Sequence, residues 1–173
     1  MENISDAVLF LLPFFIFIIV IMLVVFYLLR VGKLHLESKV KSKNSHAVLN
    51  IRLQAYERLL LFLERISPQQ LVVRNNNPEM NVSEFQVVLI ANIREEYEHN
   101  LVQQLYISQE TWAHIEQARS WVLKLVNDAA SALEENAGAS DLAMLIVEKE
   151  MKSDKNHLKI AIKKLKQEVG ELF

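Results

Sequence analysis

The pattern of charge and hydropathy predicts an all-α protein: one N-terminal transmembrane helix followed by a cytoplasmic bundle of about four long helices. Three observations carry the prediction. Residues Ala7 to Leu29 form a run of 23 without a charge. Beyond a basic segment, apolar residues recur at helical spacing nearly to the end, and no stretch alternates apolar with polar between turn residues. Break and cap signals at Ser67-Pro68, Asn81, Ser108 and Gly138 divide that region into four. The expected organisation is a tail and anchor over 1–30, a basic juxtamembrane segment over 31–44, and the bundle over 45–173.

A 23-residue helix rises about 34 Å, enough to cross a hydrocarbon core of about 30 Å with slight tilt. A buried core helix is the competing reading, but this run offers no polar face to water. Pro13 lies in the second turn, where its missing donor falls near the interface. Glu2 and Asp6 precede the run and no small-x-small site follows it, so it reads as an uncleaved anchor rather than a signal peptide. Arg30, Lys33, Lys39, Lys41 and Lys43 follow it against a single Glu37, and no Lys or Arg precedes it. That asymmetry predicts an N-terminus outside and a cytoplasmic bundle, flanked by these five basic residues.

The first bundle helix is expected from about Ser45 to Ile66, with Leu49, Leu53, Tyr56, Leu60 and Leu63 as a heptad-like seam. Glu57-Arg58 and Glu64-Arg65 repeat seven apart outside it. The run Leu59–Leu63 is apolar round more than half the helix, which predicts a central position. Ser67-Pro68 ends this helix, Pro68 opening a short turn capped by Ser67 and Gln70, and Arg74 to Pro78 reads as a loop. Asn81 with Glu84, or Ser83 with Gln86, caps a second helix running to about Ile107. Its predicted inner stripe is Phe85, Leu89, Ile93, Tyr97, Leu101 and Leu105.

Ser108 caps the third helix, with Ile107 and Trp112 at the positions of a hydrophobic staple. The inner stripe there is Trp112, Ile115, Val122, Val126, Ala129 and Leu133, and the helix is expected to stop where Gly138 takes a left-handed conformation. Ser140 then caps a fourth helix whose stripe is Met144, Val147, Met151, Leu158, Ile162, Leu165 and Val169.

Composition excludes much chemistry. There is no cysteine, hence no disulfide, thiolate metal site or cysteine nucleophile. Three glycines, Gly32, Gly138 and Gly170, cannot assemble a phosphate-cradling loop, dinucleotide fingerprint or nucleophile elbow. No cofactor and no catalytic residue are expected. Glu96 and His99 have the Glu-x-x-His spacing of di-iron bundles, but the second such pair is echoed only by Asp154 and His157. Arg52, Asn100 and Gln104 fall inside apolar arcs and require partners, either in a buried polar network with Glu96 at its edge or in an interface with another protein.

Lys152, Lys155, Lys159, Lys163 and Lys166 share about 80° of arc on the predicted fourth helix, without a carboxylate on that line. A lysine line is ordinarily a solvated face; as a functional feature it suits lipid headgroups or an acidic partner. A net charge of -2, without interleaved aromatics or arginines on that line, disfavours nucleic acid.

At Ile51–Pro68, IRLQAYERLLLFLERISP, and at Ile93–Ser108, IREEYEHNLVQQLYIS, the chain resembles an uncharacterised family of single-span, membrane-anchored helical proteins from Bacteroidota. With the anchor and the Trp112 region, the resemblance covers most of the chain. It implies a bacterial inner-membrane location and no reaction. The expected function is a membrane-tethered helical interaction module, an accessory or scaffold subunit with the lipid bilayer and an inner-membrane or cytoplasmic protein as partners. The alternative is a metal-binding bundle enzyme or carrier using Glu96 and His99. A continuous stalk like the b-type stators of rotary ATPases is opposed by the breaks at Pro68, Pro78, Ser108 and Gly138.

Overall fold

One helix, α1, runs from Glu2 to Arg65. The computed structural model describes the backbone of residues 2–134 and 137–172, with the side chains of residues 17–30, 47–134 and 137–172. The chain divides into two units, Met1–Leu49 and Asn50–Phe173. The described residues are all-helical, but the basic segment expected to separate anchor from bundle is itself helical. The physical reason is local: residues 31–44 contain no proline, and one glycine at Gly32 costs only about 1 kcal/mol relative to alanine.

In the first unit, every side chain from Phe17 to Leu29 is exposed. Among the described residues no helix is long and apolar enough to cross a membrane. Phe17–Leu29 alone rises about 20 Å, and the earlier part of the expected span, residues 7–16, lies outside the described side chains.

The second unit begins within α1 and adds α2 (Pro68–Asn75), α3 (Val82–Asn100), a 3-10 segment (Leu101–Tyr106), α4 (Gln109–Ala130), α5 (Ala139–Met151) and α6 (His157–Gly170). Helix α4 packs along α3, α5 and α6, and α2 packs on α3 and α5. Leu59, Phe62 and Leu63 of α1 join Leu71, Phe85, Leu89, Ile93, Ile115, Val122, Ile146 and Leu165 in one core. The seam of α1 is rotated from the expected one: Tyr56, Leu59, Phe62 and Leu63 are buried, whereas Leu53 and Leu60 are half-buried.

Two caps follow their sequence signals. The Asn81 side chain accepts from Glu84 N–H while Glu84 accepts from Asn81 N–H, at 2.9 and 3.0 Å. Ser108 Oγ accepts from Thr111 N–H at 3.2 Å. Ser67 instead donates its hydroxyl back to the Glu64 carbonyl, and the expected turn after Pro68 is a helix of eight residues. That helix takes in Arg74 and Asn75, so the loop begins at Asn76.

The second helix does not reach Ile107. It ends at Asn100, whose side chain donates to the Glu96 carbonyl, and the next six residues tighten into 3-10 geometry. At three residues per turn, a four-residue step turns a side chain about 120° rather than about 40°. Leu105, expected on the inner stripe, is consequently 74 % exposed, and Leu101, at the end of α3, is 39 % exposed.

Helix α4 stops at Ala130, ahead of the expected site, and Leu133 lies beyond it, half-buried. Gly138 is not left-handed: at φ -104° and ψ 177° it is the extended N-cap of α5, its N–H held by the Asp141 carboxylate at 2.9 Å. Ser140 is inside α5 and caps nothing. Ala139 N–H donates to the Met80 carbonyl, joining the starts of α3 and α5.

The predicted fourth helix is two helices. Asn156 Oδ1 accepts from Lys159 N–H at 3.0 Å and starts α6 afresh, and Ser153 Oγ donates to the Lys155 carbonyl in the intervening turn. The inner faces are Ala139, Leu142 and Ile146 on α5 and Leu158, Ala161 and Leu165 on α6, while Met144 and Met151 are 65 % and 77 % exposed.

Candidate functional site

Two polar constellations occupy the second unit. The first is built on Glu168 of α6. Tyr56 donates its hydroxyl to Glu168 Oε1 at 2.8 Å, and Ser108 contributes its N–H to Oε1 and its hydroxyl to Oε2, both at 2.7 Å. Arg52 Nη2 donates to the Tyr56 hydroxyl at 2.9 Å and lies 3.7 Å from Glu168 Oε1, while its Nε donates to the Tyr106 carbonyl at 3.1 Å. A carboxylate thus sits at the N-terminus of α4, where backbone donors and the helix dipole favour it. It ties α6 to α4 and α1.

Burial acts to raise the Glu168 carboxyl, but hydrogen bonds from Thr111, Ser108 and Tyr56 outweigh it and hold the group below its ordinary value. The Tyr56 hydroxyl shifts the other way, upward, through burial and the bond to Glu168. Beside this joint, Lys164 of α6 pairs with Glu110 of α4.

The second constellation is a cleft of about 350 Å³ between α1 and α3, lined by Arg58, Leu61, Phe62 and Arg65 from one and Glu96, His99 and Asn100 from the other. Glu96 Oε1 accepts from Arg65 at 3.2 Å and from Arg74 of α2 at 3.4 Å. A smaller cleft of about 210 Å³, lined by Leu61, Glu64, Arg65, Gln70 and Arg74, adjoins it through Leu61 and Arg65. Tyr97 stands 6.1 Å from Phe62, which lines the larger cleft, and 5.8 Å from Trp112, with the Arg119 guanidinium 4.0 Å over its ring. Arg119 Nε is buried without a hydrogen-bond partner, so the Tyr97 π-face is the contact that offsets its burial.

The expected Arg52–Asn100–Gln104 network is not assembled. Arg52 belongs to the Glu168 joint, Asn100 bonds its own helix, and Gln104 is exposed on the 3-10 segment because the change of helical pitch rotates it outward. Glu96 and His99 share the α1/α3 cleft, but the Glu96 carboxylate is engaged by two arginines. Among the described residues no three His, Asp or Glu side chains could hold one metal ion. Asp154 lies in the α5–α6 turn and His157 stacks 6.2 Å from Trp121.

The lysine line is also broken. Lys152 and Lys155 lie between α5 and α6, and Lys152 pairs with Glu148. Lys159, Lys163 and Lys166 remain as an exposed i, i+4, i+7 row on α6. Of the residues expected to flank a membrane, Arg30 is exposed, and the side chains of Lys33, Lys39, Lys41 and Lys43 lie outside the described residues.

Sequence reasoning missed Glu168, although it is the carboxylate in a lysine-rich helix and Ser108 announces an anion-favouring helix start. The seven-residue repeat of Arg58 and Arg65 on the outer face of α1 is the one sequence signal for the cleft. Among the described residues the chain is all-helical. Residues 2–172 match a family of unknown function (DUF7935), and the chain belongs to it. No curated protein and no solved structure matches.

Proposed function

We propose that this chain is a membrane-tethered helical interaction module, an accessory or scaffold subunit of a bacterial inner-membrane assembly. The observation that carries the reading is the exposure of α1 on every face from Phe17 to Leu29: thirteen consecutive large apolar side chains are 47–73 % exposed. A helix apolar all round is stable only inside a large core or a bilayer. The uncharged sequence extends upstream to Ala7, which supplies the length a single span needs. The basic flank from Arg30 to Lys43 supports an N-terminus outside and a cytoplasmic bundle.

The bundle is read as non-catalytic. Its two polar constellations are occupied by ion pairs and hydrogen bonds, which supports holding helices and partners over moving protons. Val72, Val147, Met144 and Met151 line an apolar groove of about 420 Å³, and Val73 nearby is 76 % exposed. Exposed apolar surface of this kind suits contact with another protein. The Lys159, Lys163 and Lys166 row adds a surface suited to anionic headgroups. Purification of the full chain from gently solubilised membranes, followed by mass spectrometry, should yield a protein partner in constant proportion. Recovery of the chain alone in every mild detergent would contradict the reading.

A further inference from the structure

The geometry points to the α1/α3 cleft as the docking site for an acidic amphipathic segment of a protein partner, with carboxylates received by Arg58 and Arg65 and an apolar side chain received on Leu61. This inference rests on the interaction-module reading and names the chemistry of its partner.

The helix spacing comes first. Arg58 and Arg65 are seven residues apart on α1, so their backbones are separated by a rise of about 10.5 Å, two turns of one helix face. Leu61 lies between them and is 51 % exposed, on the same cleft wall. A row of cation, apolar residue and cation at two-turn spacing is complementary to a helix or strand carrying carboxylates on either side of an apolar residue. It is poorly matched to one small anion, which would draw the two guanidiniums to a single point.

Charge supports the same occupant. Three arginines, Arg58, Arg65 and Arg74, reach the two adjoining clefts, against Glu96 and Glu64. Glu96, its side chain only 15 % exposed, bonds Arg65 and Arg74 and holds their guanidiniums at the cleft. Among the described residues, Arg58 has no carboxylate within ion-pair distance. Arginine retains unused donors after one ion pair, because its planar fork carries five N–H groups. Two guanidiniums, Arg65 held by Glu96 and Arg58 unpaired, flank the exposed Leu61, and arginine is among the residues enriched at interface hot spots.

The test uses the full chain in its own membranes. Arg58→Lys keeps the charge and introduces an amine that a zero-length carbodiimide can join to a carboxylate in direct contact. The expected product is an amide to an Asp or Glu of another polypeptide, with a second amide from Arg65→Lys to a carboxylate about two turns away. Arg58→Glu and Leu61→Glu, both at exposed positions, should each reduce copurification of that polypeptide about tenfold or more. Amides formed only within the chain, or a partner retained undiminished by Arg58→Glu and Leu61→Glu, would overturn the inference while leaving the interaction-module reading standing. Thermal stabilisation by inorganic phosphate that Arg58→Gln abolishes, without any intermolecular amide, would overturn it in favour of a small-anion site. A wild-type chain that brings down no partner would overturn both.

Discussion

Glu168 and Glu96 are each held by arginine in the same bundle, yet their surroundings differ. Glu168 accepts from a tyrosine hydroxyl, a serine hydroxyl and a backbone N–H, and its arginine, Arg52, is itself bonded to a carbonyl and to Tyr56. Glu96 receives two guanidiniums, from Arg65 and Arg74, with side chains 57 % and 37 % exposed. Short, rigid donors from several elements make a joint. Long side chains converging at the surface leave a cleft with donor capacity to spare. The lesson is that an ion pair is informative about function only when the remaining donors of its partners are counted.

The largest expected effect is at the joint. Glu168→Ala would leave the Ser108 and Tyr56 donors without their acceptor and Arg52 without its nearby carboxylate, and should cost about 2–3 kcal/mol in a denaturant melt. Because the Glu168 carboxyl is held below its ordinary 4.5, the stability it adds is fully present above that pH and is lost as the pH falls through the lowered value. The gap between wild type and Glu168→Gln should therefore close in acid; a gap that widened there would contradict the assignment. Tyr56→Phe, which removes one bond to the carboxylate and one acceptor for Arg52, should cost about 1 kcal/mol. At the cleft the same exercise should do little: Arg65→Ala is expected to change stability by about 0–1 kcal/mol, since an exposed pair gains little net energy. A loss as large as at Glu168 would erase the distinction.

The smallest effect concerns α6. Vesicles containing anionic lipid should retain a little more of residues 45–173 than of the version with Gln at Lys159, Lys163 and Lys166. The difference should fade with salt, as a Debye length of about 8 Å at physiological ionic strength requires. Binding of both to the same extent at low salt would return the row to a solvated face.

Much of the fold was legible because local chemistry agreed with it. Asn81-x-x-Glu84 and the Ser108 cap announce two helix starts, and Pro68 ends α1. The breaks that were missed come from residues whose competing role depends on context. Asn156 can sit mid-helix or cap one, and only its bond to Lys159 N–H decides that α6 begins there. Asn100 is the last residue of α3, yet its bond to the Glu96 carbonyl is the same one that Asn92 makes to the Val88 carbonyl within the helix. Apolar residues recurring at helical spacing from Met144 to Val169 hid the first break, although Met144 and Met151 are exposed and the buried face of α5 is Ala139, Leu142 and Ile146. The site was less legible than the fold. Arg52 falls inside an apolar arc in the sequence, but its partners, Glu168 and the Tyr106 carbonyl, are 116 and 54 positions away and share no local signal. Glu96 and His99 suggested a metal by spacing alone, whereas the guanidiniums that engage Glu96 come from other helices.

Everything proposed about partners presupposes the tether, so its topology is the measurement that matters most. Full-length chain bearing a C-terminal tag would be expressed in a bacterium and inner-membrane vesicles prepared in both orientations, washed at alkaline pH and exposed to protease. The account predicts that the chain stays with the membrane through the wash and that the tag is cleaved only in inverted vesicles. Release of the chain by the wash, or cleavage of the tag in right-side-out vesicles, would contradict it.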